Sequence, residues 1–320
     1  MSLFARLSIS IIAFVGLLDV FWMSFAGFGF EWGELAKTLI CVGILLSISC
    51  FYTVFRPVED FAVVTLWTAI LVSFSVVAAI NSYLFASLGF SLTDSYFAAF
   101  DRAIGFDWLA TLSFVNQYPL IGKLSTFFYL SSLPLVAMTL IYLSFTGRGK
   151  QLELFITSLI ISCIITLFVS GPLAALGPYV YYNPPIELYR DFAPAVMPQG
   201  ADSPYISHLM ALRDGSMRLL SLGHTEGLIV FPSFHTVMSV LMILALRGCG
   251  PMFWLGGVFN ILVLMTVPID GGHYLADMVA GLLVAIVVWV GLFKMQKNIA
   301  YERGEQRVSL PRPVLACREN

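Results

Sequence analysis

A histidine and an aspartate that could act together lie near the C-terminal end of the chain. They are His273 and Asp277, and Gly271-Gly272 precede them. On a helix, a spacing of four places both side chains on one face, one turn apart. The carboxylate can then accept a hydrogen bond from one ring nitrogen and leave the other nitrogen as a nucleophile. The same spacing fits a purely structural capping pair, so the residues alone leave both interpretations open.

A second histidine, His235, follows Pro232 and Ser233 in a Phe-Pro-Ser-Phe-His-Thr run. A proline at this point is ordinary at the start of a helix, and the histidine could be incidental. Ser233 and the amides of a helix start also suit an anionic phosphate. If both runs lie at ends of membrane helices on one side, His235 and His273 meet at one membrane face.

The elements that must position these residues are membrane helices. The 320-residue chain is 59% hydrophobic and 11% charged, whereas about 25% of a soluble domain is charged. Charged residues are missing from stretches of about 20 residues, the length that a helix needs to cross a bilayer. Phe61 to Ile80 shows none of the alternation typical of a membrane β-barrel. We therefore expect an all-α, polytopic membrane helix bundle.

About eight transmembrane helices are predicted. They cover residues 7–27, 35–55, 61–86, 120–146, 153–176, 229–247, 251–269 and 273–294. The first run is longer than a signal-peptide core and is predicted to be retained. The connection 87–119 mixes apolar and acidic residues, which favours interfacial helices. The connection 177–228 is rich in proline, tyrosine and polar residues.

The placement of lysine and arginine predicts the orientation. With the N-terminus inside, eleven of these residues fall on the inner side and six on the outer side. All four histidines then face outward, so we expect an inner or plasma membrane protein with its site on the periplasmic or outer face. Three segments are predicted: 1–119 with the N-terminal spans, 120–295 as the catalytic membrane domain, and 296–320 as a poorly ordered cytoplasmic tail.

Composition also excludes some classes of function. The net charge of −2 offers no basic patch for a nucleic acid. The five cysteines are scattered, without metal-ligand spacing or a disulfide framework. No metal and no cofactor are expected.

The two histidine runs resemble the second and third motifs of the type-2 phosphatidic acid phosphatase superfamily, which read Pro-Ser-x-His and His-x-x-x-Asp. The resemblance covers about residues 165–295, and the fuller wording is closer to the inositol phosphorylceramide synthase-like branch. It implies a six-helix phosphatase-type core. It also implies that His273 attacks phosphorus to form a phosphohistidine, that Asp277 orients His273, and that His235 protonates the leaving oxygen and then activates water or an alcohol.

The chain departs from the superfamily in its positive charges. The first motif, with a lysine and an Arg-Pro, is absent, and Val267 stands where the third motif usually has an arginine. A transferring phosphoryl group needs positive charge around its oxygens. Arg213 and Arg218 are the preferred candidates for this role, ahead of two further cations, Arg190 and Lys123. Tyr179 is a candidate hydrogen-bond donor to the substrate.

The sequence thus predicts a phosphatase or phosphotransferase that acts on a lipid phosphate or a phospholipid head group, with water or an alcohol lipid as acceptor. Two alternatives remain open. A transporter or channel could use the same His and Asp residues, together with Asp19 inside the first span. A metal-dependent membrane hydrolase could use His235, His273 and Asp277 as ligands.

Overall fold

The computed structural model describes residues 1–189, 204–224 and 227–309. Within these ranges the fold is almost entirely helical. The α-helices are α1 (Leu3–Ala26), α2 (Trp32–Val54), α3 (Glu59–Ala86), α4 (Asp94–Ala103), α5 (Trp108–Gln117), α6 (Pro119–Leu130), α7 (Ser132–Phe145), α8 (Gly149–Ser170), α9 (Pro178–Tyr182), α10 (Pro204–Asp214), α11 (Phe234–Ala245), α12 (Pro251–Asp270) and α13 (Leu275–Ser309). Short 3-10 helices cover Ile186–Leu188 and Leu222–His224.

One small sheet joins two distant connections. Its strands are β1 (Gly29–Phe30) and β2 (Leu219–Leu220), which pair in parallel with Gly29 opposite Leu219. The pairing holds the segment that precedes α11 against the end of α1.

The helices confirm an all-α, multi-pass membrane protein. Among the described residues, six helices are long and apolar enough to cross a membrane: α1, α2, α3, α8, α12 and the 275–299 part of α13. The pair α6 and α7 passes the same criterion as one span bent by 46°. The predicted span 229–247 is shorter than expected, because its helix α11 has 12 residues, about 18 Å in length.

Helix α8 is the centre of the bundle. It packs against α1, α3, α11 and α13, and Phe155, Ile156 and Ile160 are fully buried. In contrast, large apolar side chains of α1 and α2 are exposed, as on helices that face lipid. A central apolar helix with apolar neighbours on every side therefore supports the elements that carry the histidines.

The structure bears on two of the predicted segments, the connection 87–119 and the C-terminal tail. Connection 87–119 contains the short helices α4 and α5, and their position along the membrane surface stays a prediction. The tail was expected to lack order after residue 295, yet α13 continues to Ser309. The reason is local: residues 296–309 are mostly good helix formers, and the first proline beyond them is Pro311. The boundaries of the three segments stay a prediction.

Candidate active site

Of the predicted pair, His273 lies in the turn between α12 and α13, and Asp277 lies in the first turn of α13. His273 Nδ1 is 3.1 Å from Asp277 Oδ2, and the amide of Tyr274 donates to the same oxygen at 2.9 Å. His273 is 3% exposed and Asp277 is fully buried. The ring is therefore held by a carboxylate that the Tyr274 amide fixes in turn.

Two glycines allow the turn to pack closely. A Cβ atom on Gly271 would lie 2.7 Å from His273 Cδ2 and 2.9 Å from Tyr129 Cε2. Gly272 has a φ of +58°, in the left-handed region that other residues rarely adopt. The Gly-Gly pair is therefore more than a plain turn, because it lets Tyr129 approach the catalytic candidate.

His235 lies in the first turn of α11 and faces the same region. Its Nδ1 is 3.2 Å from the hydroxyl of Tyr129, and the two rings are stacked with centroids 4.3 Å apart. Tyr129 also packs beside Gly271, so the same ring contacts His235 and the turn that carries His273. The structure thus brings together two histidines that the sequence separates by 38 positions.

Ser233 is the N-cap of α11. Its Oγ accepts a hydrogen bond from the amide of Thr236 at 3.4 Å, while its own amide donates to the Asp277 carbonyl at 3.0 Å. Ser233 is fully buried. The residue therefore joins α11, which carries His235, to α13, which carries Asp277, and its hydroxyl hydrogen can still be donated to another group.

Helix α4 holds the two loops of the site through two buried aspartates. Asp94 accepts hydrogen bonds from the amides of Leu176 and Gly177 at 2.8–3.1 Å. Asp101, two turns further along, accepts from the amides of Leu275 and Ala276 at 3.0 and 3.1 Å. These two amides open α13, so Asp101 caps the helix that carries Asp277 from another part of the chain.

A hydrogen bond from Tyr274 links the two halves of this arrangement. Its hydroxyl donates to Asp94 at 3.0 Å, and its side chain is fully buried. Because Tyr274 follows His273 directly, the position of the histidine is coupled to α4.

Tyr179, the candidate hydrogen-bond donor, lies beside the turn that carries His273. A Cβ atom on Gly272 would lie 3.2 Å from its ring, and Trp108 packs edge-on against it at 4.6 Å. The hydroxyl is buried, and it has no hydrogen-bond partner within the described part of the chain. Burial, with a smaller contribution from Asp270, raises the pKa of this phenol well above its usual value. The phenol is therefore a neutral donor at physiological pH.

Asp270 forms a second buried polar cluster, next to the turn. It accepts hydrogen bonds from the hydroxyls of Ser125 and Thr126, the latter at 2.7 Å. Both hydroxyls come from α6, one turn before Tyr129. Trp108 fixes the same end of α12, because its indole N–H donates to the Pro268 carbonyl at 2.9 Å.

The candidate phosphate-binding arginines have other contacts in this structure. Arg213 donates to the carbonyl of Phe90 and lines a small cavity together with Val230 and Phe231. The guanidinium of Arg218 lies over the ring of Phe28, 4.6 Å from its centroid. Arg213 therefore shares a cavity with Val230, which is in the same buried cluster as Tyr274, whereas Arg218 packs near the end of α1.

The remaining candidates and histidines are distributed as follows. Lys123 is exposed on α6, and Arg190 lies outside the described residues. His208, on α10, is 3.4 Å from the hydroxyl of Tyr83, away from the pair. His224 ends the 3-10 helix Leu222–His224.

Sequence reasoning missed Tyr129, Asp270 and the roles of Asp94 and Asp101. The two α4 aspartates could have been identified from the sequence, because a spacing of seven residues places both on one face of a helix. Tyr129 and Asp270 carried none, since each is identified only by a partner more than 100 positions away.

Chemically, the arrangement offers a carboxylate-bound imidazole, a second imidazole beside it and buried donors. Such a set can perform nucleophilic attack with general acid–base help, which contributes roughly 10²–10⁴-fold. As for metal binding, the described residues contain no group of three or more His, Cys, Asp or Glu side chains that could hold an ion.

Comparison with known proteins gives one match. A family model described as the PAP2 superfamily matches residues 95–291, which is more than half of the chain and includes both histidine runs. No curated protein and no solved structure matches the chain. The resemblance read from the two motifs is thereby confirmed at the level of the superfamily, and it supports a phosphatase-type function. The chain belongs to the PAP2 superfamily.

Proposed function

We propose that this protein is a membrane-embedded phosphatase or head-group phosphotransferase that acts on a lipid phosphate through a phosphohistidine at His273. One observation carries the proposal: the Asp277 carboxylate lies 3.1 Å from His273 Nδ1, while Tyr129, which stacks on His235, also packs beside Gly271 in the same turn. A carboxylate on Nδ1 selects the tautomer whose Nε2 lone pair is available for attack.

In the first step, His273 Nε2 forms a bond to phosphorus as the bond from phosphorus to the leaving oxygen breaks. His235 gives its proton to that oxygen. Positive charge then develops on the phosphorylated imidazole, and the buried Asp277 carboxylate, hydrogen-bonded to Nδ1, stabilises it. The products of this step are a phosphohistidine, with whatever group remains on phosphorus, and a free alcohol.

In the second step, an acceptor oxygen attacks the same phosphorus. His235 takes the proton from water or an alcohol, the new P–O bond forms, and the N–P bond to His273 breaks. Water gives a hydrolase and an alcohol gives a transferase. Both reactions use the same residues, so the choice depends on which acceptor reaches the site.

Binding of the phosphate oxygens requires donors and positive charge. Tyr179 supplies a buried, unpaired hydroxyl beside Gly272, and Ser233 supplies a hydroxyl at the start of α11. Arg213, next to Val230 in the adjoining cavity, is the better placed of the two arginines. Arg218 would have to leave the Phe28 ring to take part.

A lipid substrate is proposed because the site adjoins membrane helices. The wording of the two motifs favours the inositol phosphorylceramide synthase-like branch and hence transfer to an alcohol lipid. We further propose that residues 120–295 form the catalytic domain and that the site faces the periplasm or outer side of an inner or plasma membrane.

The test uses the full chain, purified in detergent. Phosphatidic acid, a polyprenyl diphosphate and a phosphoinositide are offered with water, ceramide or diacylglycerol as acceptors. His273→Ala and Asp277→Asn should abolish or severely reduce turnover, and His235→Ala should slow it. His208→Ala is the matched control, because this histidine contacts Tyr83 instead.

A second readout identifies the intermediate. Radiolabelled substrate should leave acid-labile, alkali-stable phosphate on the wild-type protein and none on His273→Ala. Full activity of His273→Ala on every productive substrate would refute the mechanism, and loss of wild-type turnover on treatment with a chelator would favour a metal-dependent hydrolase.

A further inference from the structure

An apolar groove opens between α1, α3 and α8, on the part of the bundle that faces lipid. It has a volume of about 630 Å³. Its walls are mainly aromatic and branched side chains, among them Phe14, Leu18, Phe21, Ile161, Ile164 and Phe168. A groove of this size and composition suits a hydrocarbon chain.

One polar side chain, Asn81, interrupts the apolar wall. Its Nδ2 donates to Asp19 Oδ1 at 2.8 Å. The other oxygens of the pair, Asp19 Oδ2 and Asn81 Oδ1, are buried and have no hydrogen-bond partner among the described residues. Asp19 is 2% exposed and Asn81 is 4% exposed. Since an unpaired buried acceptor is costly and the bilayer interior offers no water, the pair is suited to a ligand that brings hydrogen-bond donors.

The Asp19–Asn81 pair lies toward the same side of the bundle as the catalytic residues. Asp19 lies about two turns before α1 ends, and Asn81 lies between one and two turns before α3 ends. The end of α8 adjoins the end of α3, because a Cβ atom on Gly171 would lie 2.8 Å from Phe85 Cδ1. The loop after α8 continues to Gly177, where a Cβ atom would lie 2.8 Å from the carbonyl of Gly272.

Phe85 connects the groove with the site. Its side chain lines the groove and also lines the small cavity that includes Arg213 and Val230. Val230 belongs to the same buried apolar cluster as Tyr274, the residue that follows His273. A lipid lying in the groove would therefore have its polar end directed toward the catalytic turn.

We propose that this groove binds the acceptor of the transfer reaction, a long-chain alcohol that carries a second O–H or N–H donor near its chain. The chain lies against the apolar walls, and the second donor bonds to the Asp19–Asn81 pair. The reacting hydroxyl attacks phosphorus, its proton passes to His235, and the N–P bond to His273 breaks. This inference rests on the proposed function and names its acceptor class.

The first experiment measures how the phosphoenzyme partitions between alcohol and water. The acceptor probes are ceramide, which has an N–H and a second hydroxyl, and diacylglycerol, which has neither. Ile164→Trp fills the groove, and Ile261→Trp adds the same ring to an exposed position on α12. Ile164→Trp and Asp19→Asn should lower the transfer-to-hydrolysis ratio with ceramide about tenfold, whereas Ile261→Trp should leave it unchanged.

The second experiment measures binding without turnover. Ceramide with a diazirine in its chain is photo-crosslinked to wild-type protein and to His273→Ala, and labelled peptides are mapped. Labels should fall on α1, α3 and α8 in both proteins and should be lost in Ile164→Trp. Labels elsewhere, or a transfer ratio that Ile164→Trp does not change, would overturn the acceptor site.

The two proposals can fail separately. If His273→Ala remains fully active, the phosphohistidine mechanism fails, while crosslinking still decides whether the groove binds the lipid. If wild-type protein hydrolyses substrate through His273 but the photo-reactive ceramide never labels the groove, the acceptor site fails and the proposed chemistry stands.

Discussion

The phenol of Tyr129 lies against the imidazole of His235, with ring centroids 4.3 Å apart and the hydroxyl oxygen 3.2 Å from Nδ1. In the proposed mechanism this contact orients the second histidine as Asp277 orients the first. When His235 is the protonated acid, its Nδ1–H donates to the Tyr129 hydroxyl oxygen and the Nε2 proton is left for the leaving oxygen. The mechanism thus gives Tyr129 the role of a positioning residue, which acts through His235.

Tyr129→Phe should lower kcat/KM about threefold to tenfold, because it removes one hydrogen bond and keeps the ring stack. The effect should fall mainly on kcat and should shrink for substrates whose leaving alcohol is more acidic, since these need less protonation. Steady-state kinetics with a series of leaving groups measures it. Tyr118→Phe, at the exposed start of α6, is the control and should match wild type. Equal losses across the whole series would contradict the assignment.

The sequence predicts contacts that a single helical turn fixes and misses those that depend on packing. His273 and Asp277 meet because four residues make one turn, and Ser233 caps α11 because it stands at the helix start. Tyr129 is 106 positions from His235 and Trp108 is 160 positions from Pro268. No local pattern encodes such pairs, because the angle between packed helices decides them. For the same reason the sequence predicts the all-α bundle but not the bend between α6 and α7.

Asp101→Asn should weaken the cap of α13. It should also remove a decrease in kcat/KM that wild-type protein shows at low pH. Burial raises the pKa of Asp101, although the two backbone hydrogen bonds from Leu275 and Ala276 lower it. As the pH falls through this raised value, the carboxylate becomes neutral and accepts less strongly, so kcat/KM should decrease. A pH profile of wild type beside Asp101→Asn measures the difference.

The raised pKa of Asp101 has different consequences for activity and for folding stability at low pH. Because the pKa of folded Asp101 lies above the unfolded value, the folded chain takes up the proton at higher pH, and acidification through this group does not favour unfolding. Thermal unfolding in detergent should therefore show no loss from this group over the window in which activity declines. If the decrease in kcat/KM at low pH persisted unchanged in Asp101→Asn, another group would be responsible for it.

Ser125→Ala should destabilise the protein by about 1–3 kcal/mol, because it takes a donor from the fully buried Asp270 carboxylate. Thermal unfolding of the purified protein measures the change. Ser131→Ala is the matched control on the same chain segment, since that exposed hydroxyl bonds the Phe127 carbonyl one turn back. Equal unfolding temperatures for the two variants would show that the Ser125–Asp270 contact adds no stability.

Gly177→Ala should impair both stability and turnover, because two separate effects act at this position. A φ of +89° with a ψ of 164° lies in a region that is essentially open to glycine alone, and it costs an L-residue about 1–3 kcal/mol. In addition, the new Cβ would lie 2.8 Å from the carbonyl of Gly272, one residue before His273, and backbone cannot yield as a side chain can. Gly147→Ala separates the two effects, since Gly147 has a φ of +67° with nothing within 4 Å of a Cβ. Gly147→Ala should lose stability alone and keep wild-type kcat. If Gly177→Ala also kept wild-type kcat, the contact between the α8–α9 loop and the histidine turn would have no part in positioning His273.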